Sequence, residues 1–81
     1  MNNRETVRAF IGGKKNANGA GWRLNIQDGC LYSYGQVIGE HNSDGTITVH
    51  TSKKGQYSVT TTKHIGMLFT AACESNNVRE A

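Results

Sequence analysis

The 81-residue chain contains no proline. Its turns must therefore be built by glycine, asparagine, aspartate or serine, without the fixed φ that proline supplies. Cysteine is scarce as well: Cys30 and Cys73 are too few for the disulfide framework of a small secreted domain. No apolar run approaches the ~20 residues that span a bilayer, and no charged-then-apolar leader opens the sequence. Together these absences predict a soluble, intracellular protein with no membrane role. Acidic residues are few, six against nine Lys+Arg, and the resulting net charge of +3 excludes a charge mimic of DNA. That charge permits attraction to phosphates without demanding it. Length excludes more. A second core needs roughly 50 residues of its own, so residues 1–81 form one small domain. A chain of this size buries only about 60–65% of its unfolded surface, which leaves little room for the deep pocket of a large-substrate enzyme.

What is present is periodic. Val7, Phe10 and Ile11 fall at i, i+3 and i+4, one face of a helix over residues 2–11. Asn2 followed by Glu5 has capping-box spacing, and Gly12-Gly13 supplies the left-handed residue that ends a helix. Residues 14–21 carry no period and predict a mobile loop. Trp22–Gln27 then alternates with period two, Asp28-Gly29 is a two-residue hairpin signal, and Cys30–Tyr34 returns. Counting outward from that turn pairs Gln27 with Cys30, Ile26 with Leu31, Asn25 with Tyr32 and Arg23 with Tyr34, and sends Leu24, Ile26 and Leu31 to the core. A second hairpin follows, Gln36–His41 with Thr46–His50, closed by residues 42–45 and sharing an inward face of Ile38, Ile47 and Val49. Residues 56–59 form a short extended stub. Ile65, Leu68, Phe69, Ala72 and Cys73 continue as the stripe of a last helix capped by Thr60, Thr61 or Thr62, with Gly66 marking a close approach to the sheet. Residues 75–81 are polar and fray. The fold class is α+β: an N-terminal helix, a four-stranded antiparallel meander and a C-terminal helix, both helices covering one face of the sheet.

The uncovered face should carry Arg23, Asn25, Tyr32 and Tyr34, with Trp22 near its rim. Aromatic rings interleaved with a guanidinium on an open sheet suit single-stranded nucleic acid, whose bases stack while cations hold phosphates. Ordinary cross-strand packing accounts for the same residues, and no ribonucleoprotein motif is present. Lys14-Lys15 and Lys53-Lys54 form a phosphate-sized patch if their loops converge, and solvated turns if they do not. Thr60, Thr61, Thr62, Lys63 and His64 open a helix with hydroxyls, a cation and free N–H groups, the parts of an anion site, although capping alone requires a threonine there. No two of His41, His50, His64, Cys30 and Cys73 stand at ligand spacing, so neither a metal nor a cofactor is expected. Nothing marks Cys30 as a low-pKa thiol, and the scattered carboxylates form no acid/base pair. The chain reads as non-enzymatic.

Two stretches carry a resemblance. Leu31-Tyr32-Ser33-Tyr34-Gly35 with Val37-Ile38-Gly39, then Tyr57-Ser58-Val59-Thr60-Thr61-Thr62-Lys63-His64, is similar to a pattern in a group of short uncharacterised phage and prophage proteins. Phe10-Ile11-Gly12-Gly13-Lys14-Lys15 fits the helix end that precedes these motifs in the group, so the resemblance covers most of residues 4–70. The chain departs from the pattern at Gly39, where the group usually has alanine, and at Thr62, where it often has serine. The resemblance implies a protein of a virus or mobile element acting in the cytoplasm of a bacterial host. It brings no catalytic residues with it.

The expected function is that of an accessory protein that binds and inhibits a host protein or ribonucleoprotein complex, an anti-defence role with CRISPR–Cas as the specific expectation. Arg23, Asn25, Tyr32, Tyr34, Lys53 and Lys54 are the expected partner-binding residues, because Tyr and Arg dominate interface energetics. Thr61, Thr62, Lys63 and His64 are the expected anion-binding set. A small nucleic-acid-binding module in phage gene regulation is the alternative. Homodimerisation through an edge strand stays open.

Overall fold

The computed structural model describes residues 2–19, 21–56, 58–75 and 78–81, of residues 18, 19, 21 and 22 the backbone alone. Helix α1 spans Asn3–Ile11 and begins as its sequence predicts: Asn2 accepts from the Glu5 N–H, and Glu5 reaches back to the Asn2 N–H. Gly13, at φ 95°, turns the chain out of it. Strands follow at β1 (Ala17–Gly19), β2 (Gly21–Gln27), β3 (Cys30–Ser33), β4 (Gln36–His41) and β5 (Ile47–Val49). A 3-10 turn at Thr51–Lys53 leads to helix α2 (Val59–Glu74), and β6 (Val78–Glu80) closes the chain.

The α+β class and both helices stand as predicted, but the sheet is larger and mixed. Its order is β1-β2-β3-β4-β5-β6, antiparallel throughout except that β6 lies parallel to β5. The two added strands fall inside segments that the sequence assigns to a mobile loop and a frayed tail. Each takes its order from a neighbour, Ala17 pairing with Ile26 and Val78 with Ile47. A three-residue strand has no period of its own to betray it. The parallel return is the reason for α2: a chain leaving β5 must cross over a helix before it can run alongside in the same direction.

The first hairpin is paired as counted from its turn. Gln27 faces Cys30, Ile26 faces Leu31 and Asn25 faces Tyr32, with Asp28 and Gly29 both at positive φ in the type I′ pattern. Tyr34, however, is not a strand residue. With Gly35 it forms a second turn of the same kind, φ 52° and 82°, joining Ser33 to Gln36. Its N–H still reaches the Arg23 carbonyl at 3.1 Å. In β4, Leu31 faces Gly39 while Tyr32 faces Val37, so Ile38 is an inserted residue, and this bulge turns both Ile38 and Gly39 inward.

One face of the sheet supplies Leu24, Ile26, Leu31, Ile38, Ile47 and Val49 to the core, and the helices supply Val7, Phe10, Ile65, Leu68 and Ala72. Both helices cover that face and meet over Gly39. A Cβ there would stand 2.6 Å from Leu68 Cδ2 and 3.1 Å from Phe10 Cε2, so the close approach predicted at Gly66 belongs to Gly39 instead. At Gly66 an added Cβ would meet nothing within 4 Å. The inward stripe of α2 is Thr61, His64, Ile65, Leu68 and Ala72, which leaves Cys73 exposed, contrary to its expected place in the core. The helix also starts earlier than predicted, with Ser58 as its cap accepting from the Thr61 N–H at 3.1 Å. Of the expected stub over 56–59, Gln56 lies in a turn, Ser58 and Val59 belong to the helix start, and Tyr57 lies outside the described residues. Strand β5 is shorter at both ends than the expected Thr46–His50. Among the described residues no helix is long and apolar enough to cross a membrane.

Candidate functional surface and the buried polar chain behind it

Alternation along β2 and β3 buries Leu24, Ile26, Leu31 and Ser33 and turns Arg23, Asn25, Gln27, Cys30 and Tyr32 to the face the helices leave uncovered. Arg23 is exposed, Asn25 and Tyr32 are half-buried, and Arg23 forms no ion pair among the described residues. Asn25, Gln27, Tyr32, Tyr34 and Gly35 line a shallow hollow of about 320 Å³ on this face. Four expected partner-binding residues, Arg23, Asn25, Tyr32 and Tyr34, are therefore brought together, with Tyr34 at the corner. The side chain of Trp22 lies outside the described residues.

Tyr34 also faces the other way. Its ring stacks on His64 at 6.3 Å between centroids and 14° between planes. Positive φ is costly for a tyrosine, and Asn or Gly would make the turn more cheaply, so the ring contact gives the residue its reason to be there. Beneath it runs a chain of polar side chains. Asn3 Nδ2 stands 3.3 Å from His64 Nε2, and His64 Nδ1 stands 2.7 Å from Ser33 Oγ. Ser33 Oγ donates to Thr61 Oγ1 at 3.3 Å, which also accepts from Ser58 Oγ at 3.2 Å. An amide nitrogen only donates, so Nε2 accepts and the ring proton sits on Nδ1. Ser33 Oγ receives that proton's hydrogen bond and is free to pass its own to Thr61. Ser33, Thr61 and His64 are buried, and burial holds the His64 pKa below the ordinary imidazole value of 6.5.

This chain joins the two stretches that carry the resemblance, Leu31–Gly35 and Ser58–His64, across the interior. The model of a family of unknown function, DUF8033, matches residues 2–81. The chain belongs to this family. No curated protein and no solved structure matches it.

In this DUF8033 chain the expected anion-binding set does not converge. Thr61 and His64 point inward to the polar chain, the Thr62 hydroxyl accepts from the Gly55 N–H at 3.1 Å, and Lys63 is exposed. The basic loop is engaged with its own fold. Lys53 Nζ donates to the Val37 carbonyl at 2.6 Å, beyond the end of β5, and Lys54 Nζ lies 5.8 Å over the Phe69 ring. Replacing Lys53 with methionine keeps the stem and strands that carbonyl, with an expected loss of about 1–2 kcal/mol in urea unfolding. Lys54→Ala, losing only an exposed cation–π contact, should cost less than about 1 kcal/mol in the same assay.

The remaining histidines are also occupied: His50 pairs with Glu40 at 3.0 Å, and His41 packs on Phe10 and bonds its carbonyl. Among the described residues no cluster of His, Cys, Asp or Glu could hold a metal ion. Burial, Glu40 and Asp28 together push the Cys30 thiol upward, away from the thiolate a nucleophile requires. Sequence reasoning missed Asn3, Ser33 and Ser58. The signal for Ser33 was its parity, since alternation with Leu31 places a serine on the core side, where it must find a partner.

Proposed function

We propose that this DUF8033 chain is a non-enzymatic accessory protein of a phage or mobile element that binds and inhibits a host defence complex, with CRISPR–Cas ribonucleoprotein as the target class. It works in the host cytoplasm, where such complexes assemble. The observation that carries this reading is the uncovered sheet face, where an exposed arginine with no ion pair among the described residues stands two residues along β2 from an asparagine that lines a hollow with a half-buried tyrosine. Arginine and tyrosine are the residues that anchor interfaces, and a rigid sheet presents them at little entropic cost. The motif resemblance supplies the phage context and the family supplies no activity, so the surface carries the functional argument. Lys53 and Lys54 support the fold in this reading and stand outside the binding surface.

The test is affinity purification of the tagged chain from bacterial extract. The wild-type chain should retain a defence complex, and the double variant Arg23→Glu, Tyr32→Ala should retain it at least roughly tenfold less, with an unchanged circular dichroism spectrum. Equal retention by the folded double variant would remove the uncovered face from the account.

A further inference from the structure

The geometry points to the hollow on the uncovered face as a site for an unpaired nucleobase of a single-stranded nucleic acid. This inference rests on the reading above that the face is the working surface, and it names the chemistry the hollow recognises.

Asn25 Oδ1 is buried and has no hydrogen-bond donor among the described residues. An acceptor left unmatched costs the folded chain free energy, and a turn of the amide toward the hollow would let an incoming N–H return it. The fold does not need an asparagine at this place: residue 25 is in the middle of β2, its side chain on the uncovered face, where valine or threonine suits a strand better. Asn25 also lines the hollow together with Gln27, Tyr32, Tyr34 and Gly35.

The surroundings fit a base better than a peptide. Tyr32 stands directly opposite Asn25 in the hairpin register and offers a ring for stacking. Gly35 leaves one side of the rim without a side chain. No carboxylate lines the hollow, and the exposed guanidinium of Arg23 lies two residues along the same face, placed for a phosphate of the same strand. An asparagine amide presents an acceptor beside a donor, the complement of an amine next to a ring nitrogen on adenine or cytosine. Thymine and guanine present the same pair in reverse, a ring N–H beside a carbonyl, so the amide can meet any of the four bases.

Fluorescence anisotropy with short labelled homopolymers of adenine, cytosine and thymine tests the assignment in the full-length chain. All three strands should bind, with affinity falling steeply between low and moderate salt. Asn25→Val should weaken binding roughly tenfold or more, while melting at the wild-type temperature or above it because the unmatched acceptor is gone. A merely structural asparagine would show the opposite, lower stability and unchanged binding. The assignment is overturned if the wild-type chain leaves every strand's anisotropy unchanged at low salt, or if Asn25→Val binds as the wild type does. If the strands fail but Arg23→Glu still releases the host complex, only the nucleobase assignment falls. If neither responds, the working surface falls with it.

Discussion

His64→Ala is expected to destabilise the fold by about 3–5 kcal/mol, close to the whole stability of a domain this size. Part of the loss is packing, since a fully buried ring disappears from beneath Tyr34. The rest is the polar chain, because Ser33 Oγ loses its 2.7 Å partner in a position with no access to water, and Asn3 loses the acceptor it faces. Ser33→Ala should cost less, about 1–3 kcal/mol, and the two changes should fall short of additivity because they break the same bond. His64→Asn, which keeps a polar atom near the place of Nδ1, should recover part of the loss. Chemical unfolding of the three single variants and of the His64→Ala, Ser33→Ala double variant measures all of these.

The same histidine gives stability a pH dependence of defined sign. Its folded pKa is depressed by burial, so between the ordinary value of 6.5 and the lower folded value the unfolded chain binds more protons than the folded one. Stability from this group is complete above pH 6.5 and is lost as pH falls through that window, after which it levels off. A second ring proton would sit on Nε2 facing the Asn3 amide nitrogen, so Asn3 must turn its amide to receive it. His64→Asn should flatten that part of the profile.

Gly39→Val should cost about 3 kcal/mol or more. The Cβ alone would lie 2.6 Å from Leu68 Cδ2 and 3.1 Å from Phe10 Cε2, and valine adds two methyl groups at the point where both helices meet the sheet. Gly39→Ala meets chiefly the tip of a leucine that can change rotamer, so its cost should be nearer 1 kcal/mol. Pairing Gly39→Val with Leu68→Ala should restore part of the stability, since the second change opens the space the first one needs. Shifts in thermal midpoint across the four proteins decide this.

How much of this was legible in the sequence follows from where each constraint resides. The first hairpin was readable from Gln27–Cys30 out to Asn25–Tyr32, because Asp28-Gly29 sets the turn and period two sets the faces, but β3 ends at Ser33 and the expected Arg23–Tyr34 pair lies beyond it. Strands β1 and β6 were not readable, because their three residues each acquire order from neighbours in the fold, chiefly β2 and β5. Tyr34 was misplaced in a strand because a type I′ turn advertises itself with Asn or Gly, and a tyrosine held there by a stacking partner 30 residues away gives no local sign. Of the candidate surface, Arg23, Asn25 and Tyr32 followed from alternation alone. The internal bond of Lys53 was not legible, because a lysine in a basic turn looks solvated until its carbonyl partner on β4 is known. His64 was noticed as part of a helix start, whereas its ring lies in the buried polar chain.

Hydrogen–deuterium exchange of the chain, free and with the complex it retains from host extract, tests the central claim most directly. A partner seated on the uncovered face should slow exchange across β2, β3 and the Tyr34-Gly35 turn. The helical groove on the opposite side, lined by Arg4, Arg8 and Met67, should exchange as it does in the free chain. Protection concentrated in that groove, with β2 and β3 unchanged, would contradict the account.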